Sequence, residues 1–317
     1  MNYIFSLLLA LLLLSSNTLN AEGLTEEELH SFLSQSMPVR QVNIGRIGGA
    51  GSNTISIRSV QVKLENGEER NYICKELKGM KREKQNLEAV DSFVAEYETF
   101  KGSQPRLFPP EYVSIARYRG ALKQDFVLFD QASGQSVFDH MIEWTERGES
   151  GWMGEDPQYV RNHLSYAFSN VGRTIATFHL KHGEFDEETS TFKSITHGDL
   201  HIANIFYNLW SNEATLIDYE TLSRSPNNIF IDVDRLLNFS KKEIEPLVEE
   251  KAAKKFIESC MSYILDEKSK IQKALYIKKR LDILDYFFAA LKKGYEEAFT
   301  TAGYTLDFDE WQVKKIS

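Results

Sequence analysis

Asp199 stands five residues before Asn204 in the run Thr196-His-Gly-Asp-Leu-His-Ile-Ala-Asn-Ile-Phe206. A carboxylate and a carboxamide at that spacing serve two tasks in moving a phosphoryl group. The Asp takes the proton of an attacking hydroxyl, and the amide oxygen faces Mg2+, which takes oxygen ligands and keeps waters and phosphate oxygens in its shell. Fourteen residues further on, Asp218 ends the run Ala214 to Ile217, which reads as a short buried strand. It is the natural second metal ligand. The bland alternative is structural, with Asp199 capping a turn and His201 a satisfied core histidine.

His197-Gly-Asp199, followed by His201 and Asn204, resembles the catalytic segment of the aminoglycoside phosphotransferase and choline kinase-like family, small-molecule relatives of the protein kinases. The resemblance implies a two-lobed α+β protein kinase-like fold with ATP and Mg2+ in the cleft. The small antiparallel-sheet N-lobe would take residues 22–131 and the mainly helical C-lobe residues 132–317. It further implies Asp199 as catalytic base and Asn204 and Asp218 on the metal. In that family an aspartate at the place of Asp232, in Ile-Asp-Val-Asp-Arg-Leu-Leu, buttresses the catalytic loop; N-capping a helix is the other reading.

These residues need elements to hold them. Val42, Ile44 and Ile47, then Gly48-Gly-Ala-Gly-Ser-Asn53, then Ile55, Ile57, Val60 and Val62 read as two strands joined by a glycine-rich turn. Gly48, Gly49, Gly51, Ser52 and Asn53 would let backbone N–H groups approach phosphate oxygens, and an ordinary β-turn uses the same residues. Neither a complete Gly-x-Gly-x-x-Gly nor a P-loop motif is present, since Thr54 stands in place of the third glycine. A second hairpin turns at Glu65-Asn-Gly67-Glu and returns through Tyr72-Ile-Cys-Lys75. Lys75 is either a phosphate-binding lysine, as in the third strand of a kinase N-lobe, or an edge-strand lysine facing water. Glu96, in the charged helical segment from Lys78 to Glu98, would orient it, with Glu88 and Glu98 as competitors.

Strands around Tyr112 to Arg117 and Phe126 to Phe129 complete a five-stranded sheet. Phe129-Asp130-Gln131 reads as a hinge whose backbone binds adenine. Val160, Leu164, Ala167, Val171, Ile175 and Phe178 then give a long amphipathic helix, on which His179 and His182 are core or surface histidines rather than a metal pair. Thr25-Glu-Glu-Glu28 is a capping box opening a short peripheral helix. Residues 241–293 read as further helices of a C-lobe bundle.

The composition is globular: 317 residues, 42% hydrophobic and 26% charged. A net charge of -9 argues against a nucleic-acid or anionic-membrane partner and suits a cationic substrate. Acidic residues at Glu143, Glu146, Glu149, Glu155, Asp156 and Asp186-Glu-Glu188, with Trp144 and Trp152, would favour an amine-bearing alcohol, or they form a solvated surface. Two cysteines, Cys74 and Cys260, do not make a disulfide framework. Residues 4–14 form an apolar run too short to span a bilayer, and residues 1–21 read as a signal peptide cleaved after Ala21, although no Lys or Arg precedes the run. The expected location is secreted or periplasmic, or cytoplasmic if the segment is not cleaved. The expected activity is transfer of the ATP γ-phosphoryl group to a hydroxyl of a small molecule. An exported protein or lipid kinase and a non-catalytic nucleotide-binding module are the rivals, the latter opposed by the presence of Asp199, Asn204 and Asp218 together.

Overall fold

The structure, a computed structural model, describes residues 23–48, 54–78, 87–88, 114–123, 125–147, 157–223, 225–259 and 267–316. The expected signal segment, Gly49, Gly51, Ser52, Asn53, Glu96, Trp152 and the acids at 149, 155 and 156 lie outside the described residues. The fold is α+β, with an antiparallel-sheet N-terminal region and a helical C-terminal region, consistent with the two-lobed kinase-like architecture expected. The chain divides into two compact units, residues 1–80 with 119–130, and residues 81–118 with 131–317.

In the first unit, α1 (Glu26–Leu33) opens with the anticipated capping box. Glu28 N donates to Thr25 Oγ1 at 3.2 Å and Thr25 N donates to Glu28 Oε2 at 3.0 Å, satisfying two orphan amides of the first turn. The helix is not peripheral. Leu29 and Leu33 are buried in one cluster with Val42, Val60, Val62, Leu64, Tyr72 and Leu128, so its apolar stripe closes a face of the sheet.

That sheet contains β1 (Val39–Gly48), β2 (Thr54–Leu64) and β3 (Glu69–Leu77). A short strand, β4 (Ser114–Ile115), belongs to the second unit. With β5 (Tyr118–Leu122) and β6 (Phe126–Asp130), the order is β1-β2-β3-β6-β5, so β3 is central. Lys75 pairs with Ile57 on one side and Val127 on the other, which removes the edge-strand reading of this lysine. Its alternating neighbour Cys74 points into the core, where burial pushes the thiol up to about 12 and leaves it unionised at neutral pH.

After β4 the second unit continues with β7 (Gln135–Ser136), α2 (Val137–Arg147) and the long α3 (Pro157–Lys181), whose Leu164, Ala167, Val171, Ile175 and Phe178 are buried as their spacing predicts. β8 (Glu184–Asp186) and β9 (Thr191–Ser194) lead to β10 (Ile205–Asn208) and β11 (Glu213–Leu216), an antiparallel hairpin. β12 (Asn227–Asn228) pairs with β9. α4 (Phe230–Asp234) runs through a π turn, Arg235–Phe239, into α5 (Ser240–Ser259), and α6 (Glu267–Thr301) follows. The helices α3 and α6 touch backbone to backbone: a Cβ on Gly172 would lie 2.0 Å from Leu291 O, and one on Gly294 would lie 1.8 Å from Ser169 O. No side chain larger than hydrogen fits at either place.

Two expectations about strands are corrected. The strand expected over 112–117 does not join the N-terminal sheet; β4 pairs parallel with β11, and Ala116 N donates to Leu216 O at 2.9 Å. The fifth strand of the N-terminal sheet is β5 instead. The chain also ends in a hairpin that helical periodicity did not suggest, β13 (Tyr304–Asp307) and β14 (Gln312–Lys315), anchored by buried Val313, whose N–H donates to Ser190 O at 2.9 Å. Among the described residues no helix is long and apolar enough to cross a membrane.

Candidate active site

The loop from Thr196 to Asn204 connects β9 to β10, and its shape is set by buried groups on both sides. His197 is fully buried. Its Nε2 donates to Ile217 O at 2.8 Å and its Nδ1 accepts the Asp199 N–H at 3.3 Å, so the bonds select one tautomer and one ring spans from Asp199 to the residue before Asp218. A second tie runs between the same segments: Ile217 N donates to Asn204 O at 3.1 Å. With Ile205 paired to Leu216 in the hairpin, Asp199, Asn204 and Asp218 are held in one place.

Gly198 has φ +82°, and a Cβ there would lie 2.8 Å from Thr221 O. The left-handed backbone and the close approach both demand glycine. Beyond it His201 N donates to Asp199 O at 3.0 Å, Asn204 N donates to His201 O at 2.9 Å, and Ile202–Asn204 forms a 3-10 turn. Asn204 is buried, and its Nδ2 donates to Asp199 O at 3.0 Å. With its amide nitrogen committed to the loop backbone, the side chain has its oxygen to offer a cation. Asp218 adopts φ 56°, ψ 46°, a left-handed conformation that Asp tolerates better than most residues and that is held by the flanking bonds at Ile217. Behind it Tyr219, fully buried, accepts the Tyr118 N–H at 2.6 Å through its hydroxyl.

Asp232 supports the loop from below. It has no solvent exposure and accepts N–H groups from His197 at 2.6 Å, Gly198 at 2.8 Å and the His179 ring at 3.1 Å. Burial alone would push its carboxyl up, but the His179 hydrogen bond, the charge interactions with His179 and His197 and the His197 amide outweigh burial and hold it below the usual range. It caps no helix; Ile229 is the N-cap of α4. His179 in turn meets Tyr295 Oη at 2.7 Å, and burial raises that phenol well above its ordinary value. His179 is thus a core histidine with a task, tying α3 and α6 to the loop. His182, in the turn just after α3, is a half-buried histidine whose pKa burial, then Lys181 and His179, push down.

Around Asp199 the structure adds residues that sequence reading overlooked. Its carboxylate is 41% exposed and ion-paired through Oδ1 with Arg235 Nη1, while Oδ2 lies 3.9 Å from His201 Nε2. The π turn brings Arg235 and Phe239 to one face, the guanidinium 5.8 Å from the Phe239 ring centre, and His201 packs on the same ring at 6.4 Å. π turns of this kind recur at functional sites. Arg235 lies three residues after Asp232, one helical turn on, and that spacing was the available signal.

The other expected site residues fall as follows. Lys75 is half-buried in β3 with its Nζ 5.5 Å from the Phe129 ring centre. Gly48 ends β1 opposite Ile57, beside a bulge. Asp130 ends β6, and its carboxylate holds Arg119 through two bonds of 2.7 and 2.6 Å. Among the described acids, Glu143 pairs with Arg147, Glu146 with Lys251, Asp186 with Lys193 at 2.6 Å and Glu187 with Lys315. The Asp186 carboxyl, held by Lys193 and Thr189, falls to about 2. The Trp144 ring carries the Arg147 guanidinium 4.8 Å from its centre.

No family model matches the chain, and no curated protein matches it. Among solved structures it is similar to an amicoumacin kinase, hAmiN, in complex with AMP-PNP, Ca2+ and Ami, at 13% identity over 82% of this chain and 96% of that one. The TM-score is 0.32, too loose a likeness to place any residue.

Proposed function

We propose that the protein is a phosphotransferase that moves the γ-phosphoryl group of ATP to a hydroxyl of a small molecule. The observation that carries this reading is the stitching of His197 and Ile217, which gathers a half-exposed carboxylate, a buried carboxamide and a second carboxylate on one rigid frame. Asp199 receives the hydroxyl proton; its exposure leaves room for an acceptor, and Arg235 fixes its direction. The oxygens of Asn204 and Asp218 suit Mg2+, a hard cation that binds through one or two protein oxygens and otherwise phosphate and water. When bound, that ion neutralises charge on the transferring phosphoryl group. In the same reading Gly48, Gly49, Gly51, Ser52 and Asn53 border the phosphates, Lys75 contacts them, Glu96 orients Lys75, and the backbone at Asp130 meets adenine. The acceptor class remains a hydroxyl compound, with an amine as one option. Glu143, Glu146, Asp186 and Glu187 lend that option little support, because each already meets a cation of the chain.

The experiment is ATP turnover with pooled metabolites as acceptors, in wild type, Asp199→Ala and Asp218→Ala, alongside calorimetric ATP binding. Asp199→Ala should lose nearly all turnover and keep nucleotide affinity, and Asp218→Ala should lose both in the presence of Mg2+. An Asp199→Ala enzyme with about a tenth of wild-type kcat would remove Asp199 from the base role. Phosphate transfer to pooled proteins or lipids would favour the exported protein or lipid kinase, and ATP binding with no turnover the non-catalytic module. Export with cleavage after Ala21 is part of the proposal, and intact mass after secretion-competent expression reads it directly: a chain starting at Met1 refutes it.

A further inference from the structure

We propose that the cavity between α2, α5 and α6 is a binding site for a compact oxyanion, a phosphate group in the first instance, separate from the residues assigned to phosphotransfer. Arg280 on α6 is more than nine-tenths buried. Among the described residues its guanidinium meets no carboxylate; its partner is Tyr276, one turn earlier, through a 2.8 Å hydrogen bond to the phenol oxygen and a ring centre 4.6 Å away. A guanidinium carries five N–H donors and a full charge; the phenol accepts one donor and its ring faces part of the charge, which leaves further donors for another partner. The same cavity is lined by Lys251 and Lys255 of α5 and by Glu146 and Thr145 of α2. Among the described residues Glu146 carries the one carboxylate that lines the cavity and gives it to Lys251, while Lys255 donates to the Glu146 backbone carbonyl at 2.9 Å. Three cations against one carboxylate leave an excess positive charge, part of it out of water, where like charges repel most.

A second observation points inward. Thr145 is 1% exposed, and its Oγ1 has no hydrogen-bond partner. A buried hydroxyl of this kind ordinarily has a partner, and a small turn of this cavity-lining side chain would let it meet an acceptor there. The enclosed part of the cavity has room for about one oxygen atom, and the cavity opens to solvent. One oxygen of a phosphate would enter beside Arg280 and Thr145, leaving the others to the more exposed Lys251 and Lys255. Arginine matches the planar geometry of phosphate oxygens, and lysines supply mobile charge at the entrance. A single trapped water would satisfy Thr145 but would leave the charge excess as it is.

The test is calorimetric titration of the full chain with inorganic phosphate at constant ionic strength, with chloride as the screening control. Wild type should bind phosphate saturably at one site per chain, and chloride at equal ionic strength should give no saturable heat. Lys255→Gln, a change at an exposed position, should weaken binding about tenfold, and Arg280→Gln should remove it. Asp218→Asn should bind phosphate as wild type does, which separates this site from the proposed nucleotide site and keeps the test independent of the phosphotransfer reading. If Arg280→Gln does not fold, judged by circular dichroism, Lys251→Gln together with Lys255→Gln decides in its place. Absence of saturable phosphate binding, equal binding of chloride, or loss of binding in Asp218→Asn but not in Lys255→Gln overturns the proposal.

Discussion

Replacing Asp232 is the most informative single perturbation of this chain, because its effect can be worked from the contacts. The carboxylate accepts two backbone amides, His197 N and Gly198 N, and the His179 ring, all inside the protein. Asp232→Ala leaves two buried donors and the part-buried Gly198 amide without an acceptor. Each costs about 1–3 kcal/mol, and measured losses on removing one member of a buried charged pair run at about 3–5 kcal/mol, so a loss of about 4 kcal/mol is expected. Asp232→Asn keeps one acceptor oxygen but turns an NH2 group toward a donor, and should cost about 2 kcal/mol. Urea unfolding followed by circular dichroism measures both, and turnover should fall further than stability explains, since Gly198 and Asp199 lose their support. The pH dependence has a defined sign. The folded carboxyl lies below its ordinary value, so its contribution is fully present above the unfolded value of about 3.9 and is lost as pH falls through the folded one. Asp232→Asn should therefore show a shallower acid limb of stability than wild type. An Asp232→Ala protein that unfolds within about 1 kcal/mol of wild type would refute the reasoning.

Arg235→Ala should leave unfolding free energy within about 1 kcal/mol of wild type, because both partners of its ion pair are around two-fifths exposed. It should nonetheless lower kcat by about tenfold or more through loss of direction at Asp199, and added guanidinium ion should restore part of the rate; full activity without it removes Arg235 from the site. Gly294→Ala places a methyl 1.8 Å from Ser169 O, forcing α3 and α6 apart. A loss of about 2–3 kcal/mol by urea unfolding is expected, and a neutral result would show that the helices are not in backbone contact.

The candidate loop was legible because its residues lie close in sequence: five positions separate Asp199 from Asn204, and the hairpin that returns to Asp218 follows at once. Lys75 could be placed on a strand by alternation, but whether that strand was central or an edge depended on β6, some fifty residues later in the chain. The strand near residue 115 went astray for the same reason. Its apolar pattern fits either sheet, and what decides is the row of acceptors on β11, including Leu216 O, that no local pattern announces. The terminal hairpin was hidden by length, since Tyr304–Asp307 is a four-residue strand and alternation over so few residues carries little signal. The acids at 186–188 were legible as charge, but their partners within the chain were not. Asp186 accepts the amides of Glu188 at 3.0 Å and Thr189 at 3.3 Å, so it serves the β8–β9 turn and Lys193 before any ligand.

The candidate site divides its polar groups by burial, and the division explains why the supports were harder to read than the residues proposed to react. In the proposed reading Asp199 meets an acceptor; it sits two-fifths exposed, where its energetic contribution to folding is small. His197, His179 and Asp232 are buried without solvent exposure and are bonded through Nε2, Nδ1 and both carboxylate oxygens. A buried polar group fully satisfied in one arrangement is left unsatisfied in any other, so each of these bonds penalises a displaced loop. The chain from Tyr295 on α6 through His179 on α3 to Asp232 then makes loop geometry a property of the helical core. A change at Tyr295 that removes only its hydroxyl would reach Asp199 through two side chains and the Gly198 backbone, without touching any residue assigned to ATP or acceptor.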